Sequence, residues 1–88
     1  MLAQLADLDL CCNGIHDEGV RALASSPHAA RLERLDLSRN WVEDAGATAL
    51  AESQALAGLK SLRLSRIWRG RRGTGLLQAR FGERVQFC

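Results

Sequence analysis

Nine residues, Leu32-Glu33-Arg34-Leu35-Asp36-Leu37-Ser38-Arg39-Asn40, read L-x-x-L-x-L-x-x-N, and the pattern recurs at a shift of 27 in both directions. Upstream it falls on Leu5 to Asn13, downstream on Leu59 to Ile67. All nine leucines are kept, and the asparagine is kept in two of three copies. The period runs on past this stretch. Ile15 recurs as Val42, Gly19 as Gly46 and Gly73, and Ala22-Leu23-Ala24 as Ala49-Leu50-Ala51, with Leu77 as a third counterpart of Leu23. A fixed period of this size specifies an array of stacked units, each unable to bury its apolar side alone.

Each unit reads as strand, turn, helix and return loop. Leu8 and Leu10 alternate with Asp7, Asp9 and Cys11, which sends leucines to one side of a short strand and polar residues to the other. After Asn13 the period changes, and Val20, Leu23 and Ala24 have the spacing of an amphipathic helix. Asp17 and Asp44 are expected as N-caps of the first two helices, the second running to about Ser53. Pro27 lies beyond the first helix, which it cannot continue. Asn13 and Asn40 stand where a strand leaves the sheet and its backbone groups lose their ladder partners, which an amide side chain can replace.

The unit L-x-x-L-x-L-x-x-N-x-[IV]-x-x-x-G-x-x-A-L-A resembles the leucine-rich repeat family, and its length and helical half resemble the ribonuclease-inhibitor subtype. The resemblance spans about residues 2 to 81. It implies an α/β fold, a right-handed solenoid of about three repeats with short parallel strands on the concave face and helices on the convex face. The repeats are expected at about 5–31, 32–58 and 59–81, with a C-terminal cap at 82–88. It also implies that Asn13 and Asn40 stack as a buried amide ladder, a structural role, and that the concave face recognises a protein partner.

The third repeat departs from the pattern. Ile67 replaces the asparagine and Arg69 replaces Ile15 and Val42, while Trp68 matches Trp41. Gly70-Arg71-Arg72-Gly73-Thr74-Gly75 replaces the acidic helix start, and positive charge with glycines disfavours a helix N-terminus. A short helix is expected only over 76–81, ended by Gly82. Val85 and Phe87 alternate with polar residues as a final edge strand, and Phe81, Val85 and Phe87 together form the cap.

Hydrophobic residues make up 47% of the chain and aromatics 5%, so the core must be built from Leu, Ala and Val. No apolar run is long enough for a membrane span. Met1 to Asp7 lacks the basic start and apolar stretch of a signal peptide. Cys11, Cys12 and Cys88 are odd in number and two are adjacent, so they make no disulfide framework; a reduced, cytoplasmic protein is expected. The first repeat begins at Leu5, and Leu2 is in phase with Leu56, so the chain is expected to be the C-terminal part of a longer array.

Parallel stacking aligns the outward residues in rows. Asp7, Arg34 and Ser61 form the first, Asp9, Asp36 and Arg63 the second, and Cys11, Ser38 and Ser65 the third, with Trp41 and Trp68 at the rim. An exposed Trp is a frequent interface anchor. These rows are the expected binding site for a protein of unknown identity. The alternatives are a structural cap on a longer array, or contact with nucleic acid or an acidic partner. The second draws on charge: residues 1–59 carry nine acids and four bases, residues 60–88 one acid and eight bases, including Arg63, Arg66, Arg69, Arg71 and Arg72. An enzyme is not expected. His16 and His28 have no Cys, Asp or Glu at ligand spacing and read as solvated turn residues. The glycine run lacks the P-loop lysine, and Asp9 and Asp36 occupy outward repeat positions. No cofactor or metal is expected.

Overall fold

The computed structural model describes residues 6–65 and 71–87. Four parallel strands, β1 (Asp7–Asp9), β2 (Arg34–Leu37), β3 (Ser61–Leu64) and β4 (Val85–Phe87), form one sheet in the order β1-β2-β3-β4. Between them lie α1 (Asp17–Ala24), α2 (Asp44–Glu52) and α3 (Arg71–Phe81), packed side by side in the same order. Each strand follows its predecessor in sequence and in space, so the chain coils along one axis. The return loops are not irregular: Pro27–Arg31 and Ala55–Gly58 are 3-10 turns, the first capped by Ser26 Oγ, which accepts from the His28 N–H at 3.2 Å.

The register is the sequence period itself. Leu35 pairs with Leu8 on one side and Leu62 on the other, and Leu37 with Leu64. Leu32, Leu35, Leu37, Leu59, Leu62 and Leu64 are buried, and they meet Val20, Ala47, Leu50, Leu56 and Leu77 from the helix and loop sides. A fully buried leucine contributes roughly 1.5–3 kcal/mol over an exposed one, so these aligned leucines dominate stability. Phe81 and Val85 are buried and Phe87 packs against the core, with β4 adding parallel to β3.

Four expectations need correction. Asp17 and Asp44 are not N-caps; they are the first helical residues, and His16 and Glu43, at the cap positions, make no side-chain cap bond. Each aspartate instead reaches the following repeat. Asp17 Oδ1 accepts from the Glu43 N–H at 2.7 Å and Asp44 Oδ1 from the Gly73 N–H at 2.8 Å. Second, α3 is not confined to 76–81 but begins at Arg71. Asp44 supplies from the neighbouring repeat the negative charge that this helix start lacks in its own sequence. Third, only Asn40, half-buried, acts as the bridging amide. Its Oδ1 accepts from the N–H groups of Asn13 and Ile15, and its Nδ2 donates to the carbonyls of Leu10, Leu37 and Ser38. Asn13 is exposed, and among the described residues its side chain donates to the Cys11 carbonyl. The fourth correction concerns Ser38 and is given with the strand face.

The repeat glycine has a job in these joints. A Cβ on Gly46 would stand 2.5 Å from Asp17 Oδ1 and 3.0 Å from Val42 Cγ1; on Gly73 it would stand 2.6 Å from Ala47 Cβ and 2.8 Å from Asp44 Oδ1. No side chain fits at either distance, so the aspartate of one repeat and the glycine of the next interlock.

Candidate functional site

The outward side of the sheet carries the polar residues in register. Asp7, Arg34 and Ser61 form one row, and Asp9, Asp36 and Arg63 a second that Gln86 of β4 extends. The two rows line a shallow hollow of about 250 Å³, floored by Leu8 and Leu35. Pleating places these side chains outward because the alternate leucines are committed to the core. Asp7, Asp9, Arg34 and Arg63 are exposed, and Asp36 and Ser61 half-buried.

Ion pairs cross the rows. Arg34 Nη1 lies 3.2 Å and 3.3 Å from the two carboxylate oxygens of Asp7, with both side chains more than 60% exposed. Arg63 Nη1 lies 3.9 Å from Asp36 Oδ2. Lys60 and Glu33 form a third pair at 3.5 Å. Exposed pairs of this kind contribute little to stability, so the scaffold under the rows is held together elsewhere. Asp36 is the most fixed of them. Its Oδ1 accepts from Ser38 Oγ at 2.6 Å and from the Ser38 N–H at 2.9 Å. The Ser38 hydroxyl, its backbone N–H and the charge of Arg63 hold the Asp36 carboxyl below its usual range, against the opposing effect of burial.

The expected third row does not form. The strands end at Asp9, Leu37 and Leu64, so Cys11, Ser38 and Ser65 lie beyond them, the first two in turns. Ser38 is buried and serves Asp36, so it is not a contact residue. Ser65 Oγ, just past β3, accepts from the Arg39 N–H in the turn after β2. Trp41 is 66% exposed, as expected at the rim. Its ring stacks with that of His16, centroids 6.3 Å apart and planes 14° from parallel, and the two residues form an isolated parallel bridge. His16 is therefore exposed, as a turn residue should be, yet it extends the tryptophan into a two-ring plate. Trp68, with Arg66, Ile67 and Arg69, lies outside the described residues.

The leucine-rich repeat profile matches residues 5–24 and 30–51. Residues 5–51 are leucine-rich repeats. No curated protein and no solved structure matches the chain. Leucine-rich repeat domains are in general protein-interaction modules and typically non-catalytic. No helix among the described residues is long and apolar enough to cross a membrane, and no three His, Cys, Asp or Glu among them are grouped to hold a metal ion.

The basic third of the chain divides in the structure. Arg80 Nη1 donates to the carbonyls of Leu50 and Ala51 at the end of α2. Arg84 donates to the carbonyls of Leu59, Phe81 and Arg80. Their guanidinium groups lie 5.0 Å and 5.3 Å from the centre of the Phe81 ring. In the sequence they are simply two of the eight bases of residues 60–88. The only available signal was position: Arg80 stands 27 residues after Ser53, whose Oγ donates to the Ala24 carbonyl at the end of α1.

Proposed function

We propose that the chain is a protein-interaction module of the ribonuclease-inhibitor-like repeat type, and that it engages its partner through the outward strand face. The division into repeats at 5–31, 32–58 and 59–81 with a cap at 82–88 belongs to this reading. The contact residues are Asp7, Asp9, Arg34, Asp36, Ser61 and Arg63, with Trp41 as the rim anchor. The observation that carries the proposal is the pair of registered rows: six polar side chains from three strands line one hollow, and their ion pairs are too exposed to be explained by stability. A rigid sheet presenting mixed charge favours specificity and encounter rate over raw affinity.

The test is selection of displayed peptides and small domains on the wild-type chain, followed by re-binding to the double charge reversal Asp36→Arg with Arg63→Asp. The face is supported where selected binders weaken by at least about tenfold on the reversed chain, as loss of complementary charge demands. Binders indifferent to the reversal would move the site elsewhere. A structural reading applies to residues 80–87 in particular, because Arg80, Arg84, Phe81 and Val85 are all turned onto the preceding repeats. The basic alternative, contact with nucleic acid or an acidic partner, would rest on Arg63, Arg66, Arg69, Arg71 and Arg72.

A further inference from the structure

Two thiols lie outside the interaction surface. Cys11 and Cys12 are neighbours in sequence, and in an extended strand neighbouring side chains point to opposite faces. Here the chain has left β1, and Cys12 takes a left-handed conformation at φ 64°. The two Sγ atoms converge to 2.9 Å. The backbone holds the turn at both residues: the Cys11 N–H donates to Asp9 Oδ1 at 3.0 Å and the Cys12 N–H to the Ser38 carbonyl at 3.1 Å. Arg39, the counterpart of Cys12 one repeat on, has φ 58°. The left-handed turn thus belongs to the repeat, and in the first repeat its two positions carry thiols. Cys12 is exposed and Cys11 half-buried, so a small reagent reaches the pair from solvent.

The donor set selects the ligand. Two sulfurs suit a soft, thiophilic centre and exclude the hard cations that prefer oxygen. Structural zinc needs four protein ligands, and no group of three His, Cys, Asp or Glu suited to a metal stands among the described residues. A trivalent arsenical bearing one organic substituent needs only two sulfurs. We propose that Cys11 and Cys12 form a preorganised vicinal dithiol site for trivalent organoarsenicals. With phenylarsine oxide, two S–H bonds and the bonds from arsenic to oxygen break, two As–S bonds form, and the oxygen leaves as water with both thiol protons. Arsenic stays trivalent and no electrons are transferred. The Cys11 thiol hydrogen bond, burial and the charges of Cys11 and Asp9 hold the Cys12 thiol above its ordinary range against the attraction of Arg39.

The experiment treats the reduced 88-residue chain with one equivalent of phenylarsine oxide and then with excess 2-mercaptoethanol, which strips arsenic held by a single thiol. Wild type should retain one phenylarsenic bridge by intact mass and lose two titratable thiols. C11S and C12S should each bind at least about tenfold more weakly, because the second sulfur acts at high effective concentration. C88S should bind as wild type does. Circular dichroism confirms that each variant is folded, and the exposed position of Cys12 makes C12S the decisive one. A stable adduct on folded C12S, its loss in C88S, or complete stripping from wild type would overturn the site. Equal capture by the wild-type chain unfolded in urea would overturn the preorganisation assigned to the turn.

Discussion

The joint between the first and second repeats and the joint between the second and third solve the same three problems with partly different chemistry. At the helix start both use an aspartate on the next repeat's backbone, Asp17 on Glu43 and Asp44 on Gly73. At the helix end the first joint uses Ser53 Oγ on one carbonyl, and the second uses Arg80 on two. At the strand exit the first joint uses the Asn40 amide on both sides of the turn. The residue at the corresponding place in the third repeat is Ile67, which has no side-chain donor or acceptor, and among the described residues the two repeats are linked there by the Arg39 N–H on Ser65 Oγ. The role at each position is therefore fixed by stacking, while the residue that fills it is not. Backbone groups orphaned at the edge of a repeat must be satisfied, and amide, hydroxyl and guanidinium all serve.

The sharpest way to break this comparison is Asn40→Ala. It strips partners from two N–H groups and from carbonyls at the first joint, and it should cost about 2–4 kcal/mol by urea denaturation. Next, Gly46→Ala and Gly73→Ala drive a methyl into the interlock and should each cost about 1–3 kcal/mol. Gly58→Ala, with open space around its Cβ, should stay within about 0.5 kcal/mol. Equal losses at all three glycines would remove the interlock from the account. Third, Asp44→Ala should cost more than Asp17→Ala, about 1.5 against about 0.7 kcal/mol, because the bond to Gly73 is half-buried and that to Glu43 exposed.

Acid titration separates the strand face from the joints. The Asp36 carboxyl sits below its ordinary value of 3.8. Its contribution to stability is complete above that value and lost as pH falls from it through the lower folded-state value. Asp36→Asn should flatten that part of the stability–pH curve and leave the neutral region unchanged in slope. The smallest effect belongs to the Asp7–Arg34 pair. Asp7→Ala should change stability by less than about 0.5 kcal/mol, since both side chains are exposed. Loss of selected binders without loss of stability in that variant would place Asp7 in recognition alone.

The strand register and both rows of the face were legible because a period of two inside a period of 27 leaves no choice of which residues pair. The strand at Val85–Phe87 was legible for a similar reason: apolar residues alternating with polar ones beside a sheet have one face to turn inward. The errors share a cause. Asp17 and Asp44 look like N-caps because capping is a local rule, yet their acceptors serve N–H groups 26 and 29 residues away. The start of α3 looked unfavourable when judged by its own charges and glycines, but its anion comes from the previous repeat. Ser38 was placed outward by extending the strand alternation one step past the last ladder residue. Arg80 and Arg84 were counted as charge, although long side chains can spend their donors on backbone carbonyls.

The aspartate joint runs one way. Asp17 serves the second repeat and Asp44 the third, so in each described pair the acceptor lies upstream of the helix start it satisfies. Synthesis proceeds in that same direction. When the Gly73 N–H leaves the ribosome, the carboxylate waiting for it has already been made, and the helix whose own sequence is least able to begin alone is the one supplied last. The array thus carries a direction in a single kind of hydrogen bond: the acceptor for the start of each described downstream helix is made before the N–H that uses it.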